Sequence, residues 1–457
     1  MVGWLWACLG ATAWAGDADP PKGFERVEPE VTVESSAFVL EGAMVWTGDG
    51  ARYATGYVAV DQGRITAVGG GTAPDSLPGT RLDVSGEHVT PGVIDTHSHL
   101  GVYASPGARA HRDGNEATAP TTAGVWAEHS TWPQDPGFYR AIAGGVTTLQ
   151  ILPGSANLIG GRGVVMRPIP GRGSRAMRFP GAPETVKIAC GENPKRVYGD
   201  RGGPSTRMGN LRGIRQKFAD VAEDMPKDDG KKKKKKKNEE DDGFTPSSDL
   251  AVATIQGVLR GEIMPHVHCY RADDMLAMLQ VAKEFGFQIR SFHHATEAYK
   301  IRDILAKENV GASVWADWWG FKLEAYDAVP AGAAMFAAAG GKTIVHSDSA
   351  KGIQRLNQES AKALRAGREL GLAVTEDDAI TWITLNPAWA LGLEEETGSL
   401  TKGKRADIVV WDAEPLSVYA KARLVFVDGV LRYDADRPQV WSDFEVGQAL
   451  DEEGGDR

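Results

Sequence analysis

Cysteine is scarce in this chain, three residues among 457, and one of them, Cys8, falls in an apolar leader. The remaining pair, Cys190 and Cys269, cannot make a disulfide framework, so a buried core has to hold the fold. Both lie in apolar strand-like runs, where free buried thiols are expected in preference to a disulfide. Positive charge is in deficit too: 51 Lys and Arg face 61 Asp and Glu. No basic stripe interleaved with aromatics occurs, which excludes a surface that tracks a nucleic-acid backbone. Neither a strand–GxGxxG–helix nor a Walker spacing is present, so nucleotide phosphates have no cradle. Beyond residues 1–15, no apolar run approaches the roughly 20 residues of a membrane-spanning helix.

What is present is ordinary globular composition, 42% hydrophobic and 25% charged, at a length that suits one large domain plus an accessory one. The opening stretch MVGWLWACLGATAWA ends in Ala13-Trp14-Ala15, the small-x-small pattern of a signal-peptide cleavage site. A secreted or periplasmic protein is expected from it. Leu5-Trp6-Ala7-Cys8 offers the alternative of a lipoprotein anchor on Cys8.

Residues 37–90 read as short strands divided by Gly and Asp-Gly turns, the mark of a small β-domain. From 91 to 396 apolar strands alternate with amphipathic helical stretches, as in PHVHCY followed by RADDMLAMLQVAKEFG. That alternation calls for parallel strands with helical crossovers. Residues 397–435 return to β character, so the fold class is α/β, with a β-module built from both chain ends. Residues 226–243 carry seven consecutive lysines flanked by acids; such a run cannot bury apolar surface and is expected to be a disordered, solvated loop.

Seven of the ten histidines fall in four strand-like runs. In GVIDTHSHLG, His97 and His99 are two apart, so both imidazoles point to one face of a strand and can reach one ion. IMPHVHCY offers His266 and His268 on one face, and KTIVHSDS offers His346 and Asp348. IRSFHHAT offers His293 and His294 on opposite faces; with His294 turned in, His293 is expected to face away. Strands of a closed α/β barrel converge at their C-terminal ends, where such enzymes place reactive groups. His88, His111 and His129 have no such context and are expected on the surface or in loops.

The stretches GVIDTHSHLG, GGVTTLQILPGSANLIGG, KIACGENPKRVYG, HCYRADDM, HATEAYKI, HSD, TLNPAWALG and GSLTKGKRADIVVWD together resemble the amidohydrolase superfamily, nearest its imidazolonepropionase-like, exported branch. The resemblance implies a TIM-like (β/α)8 barrel with a β-sandwich from both termini. It implies metal ligands at His97 and His99 (strand 1), His268 (strand 5), His294 (strand 6) and Asp348 (strand 8). Relatives fill the bridging position with a glutamate or a carboxylated lysine, and VKIACGENPK supplies both. Glu192 is favoured, because it needs no modification and sits where the strand gives way; Lys187 as a carbamate is the alternative. Two departures are Cys190, where a small or apolar residue is usual, and Ser349, where relatives often carry His.

A site of imidazoles and carboxylates suits zinc first, as one ion or two. Such an ion makes water reactive at neutral pH, and Asp348 is the natural general base. The expected activity is hydrolysis of a small amide, a dipeptide or cyclic amide. The same site acting on an ester or phosphotriester, and a non-catalytic binding protein of the same fold, are the alternatives. Asn193, Lys195, Arg196 and Tyr198 follow a ligand candidate directly and are expected to contact substrate. His346 is expected to bond Asp348 or substrate, or to be structural; His266 is expected to pack or to steer a ligand. Arg162, Arg167 and Arg172 are candidates for the mouth of the barrel, whereas the acids of Arg271-Ala272-Asp273-Asp274 suit a helix N-terminus. A homo-oligomer stays open.

Overall fold

The computed structural model describes residues 36–169, 171–225 and 247–437; the expected leader at 1–15, with Cys8, and the lysine run at 226–243 lie outside them. Two eight-stranded sheets organise the chain. The first takes β1 (Phe38–Trp46), β2 (Arg52–Asp61), β3 (Arg64–Gly70), β4 (Thr80–Asp83) and β5 (His88–Pro91) from the N-terminal side. The second takes β6 (Val93–Ser98), β7 (Val146–Ile151), β8 (Ile159–Met166), β9 (Glu184–Ala189), β10 (Ile263–His268), β11 (Ser291–His293), β12 (Gly311–Val314) and β13 (Thr343–Val345). The first is then completed by β14 (Ile408–Trp411), β15 (Ala422–Val427) and β16 (Val430–Asp434).

In the first sheet the order is β16-β15-β14-β5-β1-β2-β3, with β4 also paired to β1. Strands from both chain ends therefore lie side by side, β14 against β5. Phe38 of β1 and Phe426 of β15 are three strands apart in that order, yet their rings stack at 4.7 Å. The sheet is folded over on itself around a core that includes Leu40, Val58, Val60, Ile65, Ile408 and Val410.

The second sheet runs β6 to β13 in chain order and closes almost completely into a barrel. Its strands are buried on both faces, as expected of a sheet covered on either side. Between the first and last strands, Asp348, just past β13, donates its N–H to His97 C=O at 3.0 Å, and the segment at Trp382-Ile383 bridges the rest: Val345 N–H donates to Trp382 C=O at 3.0 Å and Ile94 N–H to Ile383 C=O at 2.8 Å. One strand departs from the all-parallel expectation. β8 runs antiparallel to both β7 and β9, because no helical crossover separates it from β7, and without one the chain can only turn back. Consequently Arg162 and Arg167 travel away from the barrel mouth. Arg162 bonds Thr254 at 3.0 Å, and Arg167 pairs with Asp428 of the other sheet. Arg172 lies beyond β8 and is exposed.

The two cysteines are also corrected: Cys190 and Cys269 form a disulfide, with Cα atoms 5.4 Å apart. β9 and β10 are paired in parallel with Ala189 opposite His268, so the next residue on each strand faces the other. Sequence alone hides that register, because 79 residues separate the two. Among the described residues no helix is long and apolar enough to cross a membrane.

Candidate metal centre

Strand ends of the barrel bring together the residues that lie far apart in the chain. His97 ends in the barrel interior with no exposure, and His99 follows β6; their ring centres are 5.0 Å apart. His294 lies 4.4 Å from His97 and 4.7 Å from His268, centre to centre. Asp348 sits among them: Oδ1 is 3.3 Å from His99 Nε2 and 3.8 Å from His97 Nε2, and Oδ2 is 3.6 Å from His294 Nε2. Ligating atoms of His97, His99 and Asp348 all fall within 4.8 Å of one another, as do those of His97, His294 and His346.

Beneath these, Asp95 of β6 fastens that strand to the segment that follows β13. Its Oδ1 accepts from the N–H groups of His97 and Ser347, each at 3.1 Å, and Oδ2 accepts from the Ser347 hydroxyl. Burial raises the Asp95 carboxyl to about 6.

Hydrogen bonds to main-chain carbonyls settle which ring nitrogens face the centre. A carbonyl oxygen only accepts, so His99 Nδ1, 2.8 Å from Leu152 O, carries a proton and leaves Nε2 toward Asp348. His346 Nδ1 likewise donates to Val314 O at 2.9 Å. Burial lowers His346 to about 4 and holds His294 well below its usual value, so both rings are neutral. His346 Nε2 must then accept from His294 Nδ1, 2.8 Å away, and the His294 Nε2 lone pair points at Asp348. His346 thus bonds His294 rather than Asp348, and both its nitrogens are taken.

His268 Nδ1 is buried with no hydrogen-bond partner among the described residues, an orphaned lone pair or N–H beside His294. Burial also holds His97 and His268 well below the ordinary imidazole value, with the Lys187 charge adding to the effect. Neutral rings at His97 and His294 with Nε2 3.8 and 3.6 Å from the Asp348 carboxylate, beside the unpartnered nitrogen of His268, make a donor set that suits a divalent cation. The residues fit the metal that the sequence implies.

Lys187, not Glu192, is brought to the centre. Its side chain has no exposure; Nζ reaches His97 Nε2 at 3.3 Å and donates to Pro153 O at 3.1 Å. Burial brings its ammonium down to about 7. Glu192 opens a short helix, Glu192–Tyr198, where its carboxylate is 3.6 Å from Lys322 Nζ and its N–H donates to Glu324 at 2.8 Å. The strand ends before Gly191, at φ +80, and the turn carries Glu192 outward instead of swinging it in.

The four residues expected around substrate divide. Asn193 stays at the site, its amide 3.4 Å from His268 Nε2 and 2.8 Å from Ser155 Oγ. Lys195 is half-buried and Arg196 exposed. Tyr198 is buried and braces a loop, its hydroxyl donating to Ala119 O and accepting from Asn157. His293 is a further correction. β11 ends at His293, and His294 takes φ +55, so strand alternation stops between them and both rings turn into the barrel.

Sequence reading missed an aromatic wall. Trp315 stacks on His294 at 4.4 Å and on Trp318 at 4.6 Å; Tyr270 lies 5.5 Å from His294, and Phe321 lies 5.7 Å from Trp315. The Lys322 ammonium sits 3.7 Å above the Tyr270 ring. The available signal was GASVWADWWGF, a strand that runs directly into aromatics at its C-terminal end. Apart from that wall, a cavity of about 320 Å³ is bounded by Asn115, Trp126, His129 and Pro153, in the size range of small-ligand sites.

A model of the amidohydrolase family matches residues 325–433. An amidohydrolase of known structure from Thermotoga maritima MSB8 is 34% identical, superimposes with a TM-score of 0.76, and is covered over 100% of its length by 87% of this chain. "Amidohydrolase tasK" of Hapsidospora irregularis is 32% identical over 429 residues, 87% of this chain but 43% of that protein; the chain spans less than half of that relative. Over 57 residues, 12% of this chain and 13% of the relative, it is 42% identical to an imidazolonepropionase of Shewanella baltica. With a barrel that gathers His97, His99, His268, His294 and Asp348 at its strand ends, and a full-length structural relative at this identity, the chain belongs to the amidohydrolase superfamily.

Proposed function

We propose that the chain hydrolyses a small amide, a dipeptide or cyclic amide, at a divalent-metal centre occupied by zinc as one ion or two. His97, His99, His268, His294 and Asp348 would hold the metal, with Lys187, as a carbamate, supplying a further ligand. When bound, the metal supplies a water made acidic enough to ionise near neutral pH and polarisation of the scissile carbonyl. The observation that carries the reading is the convergence of His99 Nε2 and His294 Nε2 on Asp348 at 3.3 and 3.6 Å, their outer nitrogens tied directly or through His346 to carbonyls.

The chain's own groups then have defined tasks. Asp348 takes the proton of the attacking water on one carboxylate oxygen and returns it to the leaving nitrogen. Burial disfavours the protonated state of His97, His268 and His294, so their nitrogens stay available as donors of electron pairs. Lys187, held near 7 and with no carboxylate in ion-pair range among the described residues, presents an amine that can add carbon dioxide with loss of one proton. Asn193, its amide 3.4 Å from His268 Nε2, would contact a small substrate held at the centre. The wall of Tyr270, Trp315, Trp318 and Phe321 favours an apolar group on that substrate and screens the centre from bulk water. The leader at 1–15 supports action outside the cytoplasm.

Metal analysis of the purified protein, followed by a screen of dipeptides, cyclic amides, esters and phosphotriesters with the wild type and Asp348→Asn, tests the reading. Zinc retained by Asp348→Asn with amide hydrolysis lost is the expected result. Absence of transition metal from the wild type, or turnover of esters or phosphotriesters alone, overturns it.

A further inference from the structure

Below the centre, three imidazoles that no step of hydrolysis requires as a set form a buried row. His97 Nδ1 is 2.8 Å from His293 Nδ1, and His293 Nε2 is 2.8 Å from His266 Nδ1. The three rings come from β6, β11 and β10, and none is exposed. His266 Nε2 ends the row with no partner among the described residues. The interior of such a barrel is ordinarily filled by layers of branched aliphatic side chains; here the layer under the metal ligands holds a hydrogen-bonded strut.

We propose that His293, backed by His266, is a positioning residue that locks the His97 ring with Nε2 turned to the metal and Nδ1 tied down. The inference rests on the reading of His97 as a ligand. Each neutral ring has one N–H, and each link between two ring nitrogens uses one proton. When His97 offers the Nε2 lone pair to an ion, its proton is on Nδ1 and is donated to His293 Nδ1. His293 then carries its proton on Nε2 and donates it to His266 Nδ1, which places the last proton on His266 Nε2. The opposite order puts a proton on His97 Nε2 and blocks the ligand. Before an ion binds, the Lys187 amine, its Nζ 3.3 Å from His97 Nε2, favours the first order from the other side. One choice of tautomer therefore runs through all three rings, and a residue on the far side of the barrel bears on metal affinity without touching metal or substrate.

The test measures zinc affinity by competition with a chromophoric chelator for the wild type, His293→Phe, His266→Phe, the double variant and His293→Gln. Phe keeps the ring volume and removes both nitrogens. His293→Phe is expected to weaken zinc binding about 10- to 100-fold, as for other outer-layer partners of metal-bound histidine. His266→Phe should weaken it less, and adding it to His293→Phe should cost nothing further, because the row is already broken. His293→Gln, which can still accept from His97, should recover part of the loss. Selective ¹⁵N labelling of histidine in zinc-loaded wild type should place the protons on His97 Nδ1 and His293 Nε2, a readout that a packing role would not move and that needs no variant to fold. A folded His293→Phe that binds zinc as tightly as the wild type, additive losses in the double variant, or a proton on His293 Nδ1 overturns the strut. No zinc uptake by the wild type overturns instead the reading of the centre on which it rests.

Discussion

Asp348 and His97 are joined twice: the Asp348 N–H donates to the His97 carbonyl at 3.0 Å, and the Asp348 carboxylate lies 3.8 Å from the His97 ring. The same contact that helps close the barrel between its first and last strands also sets the proposed general base beside a proposed ligand. Asp348 accepts this position at φ +46, in the left-handed region that Asp and Asn tolerate better than other side chains. Asp348→Asn should therefore unfold near the wild-type midpoint in metal-free protein. Asp348→Ala should be less stable by about 1–2 kcal/mol. Both should lose hydrolysis, so chemical denaturation beside activity separates the backbone role from the chemical one.

His346→Phe removes the acceptor that orients His294 while leaving an aromatic ring against Trp315. Zinc affinity should fall about 10- to 100-fold, with substrate KM little changed in fully loaded enzyme. A large KM effect at unchanged zinc affinity would mean that His346 touches substrate after all.

The Cys190–Cys269 bond closes 79 residues of chain between two adjacent strand ends. A loop of that length restricts the unfolded chain by about 4 kcal/mol in the chain-entropy account, and measured values commonly run 2–4 kcal/mol. Reductant, or Cys190→Ala with Cys269→Ala, should lower the urea midpoint by a corresponding amount. If the midpoint does not move in reductant, the bond contributes no stability.

Between the two sheets Asp407 accepts from Asp428 N–H at 3.0 Å and from the Thr397 hydroxyl at 2.8 Å. Burial, then the Asp428 charge, raise its carboxyl from 3.8 to about 6. A carboxyl whose folded value lies above its unfolded one stabilises fully below about 3.8, and that contribution is lost as pH rises through about 6. Asp407→Asn should then gain stability relative to the wild type between pH 4 and 7, on the order of 1–3 kcal/mol. Urea unfolding of both proteins at pH 4.5 and 7.5 measures the difference, and an equal gap at the two pH values would contradict the assignment.

Phe321 is 54% exposed yet in ring contact with Trp315 and Trp318. Phe321→Ala should raise KM for amides bearing an apolar side chain by several-fold, about 1 kcal/mol of lost contact, and leave glycine analogues unaffected. A uniform change across the series would place the ring outside the substrate's reach.

Much of the site was legible because its parts sit at the ends of apolar runs: His97, His99, His268, His294 and Asp348 each follow such a run, and all five converge. Less legible were the residues whose direction depends on where a strand stops. Parity put His293 outside and left Glu192 dependent on a turn; a strand ending at His293 and a left-handed Gly191 decided both the other way. The disulfide escaped because pairing register between β9 and β10 is a property of two strands, which neither sequence segment carries alone.

By itself the sequence determined the alternation of strands and helices, the return of both chain ends to β structure, and the residue types able to bind a metal. These follow from local periodicity and from side-chain chemistry, which short windows contain. Only the tertiary structure decided that β8 runs backward, that Lys187 rather than Glu192 meets His97, and which nitrogens of His99 and His294 face Asp348. Those outcomes depend on contacts between residues tens to hundreds of positions apart, where burial and a fixed set of hydrogen-bond acceptors choose among orientations that are equivalent along the chain.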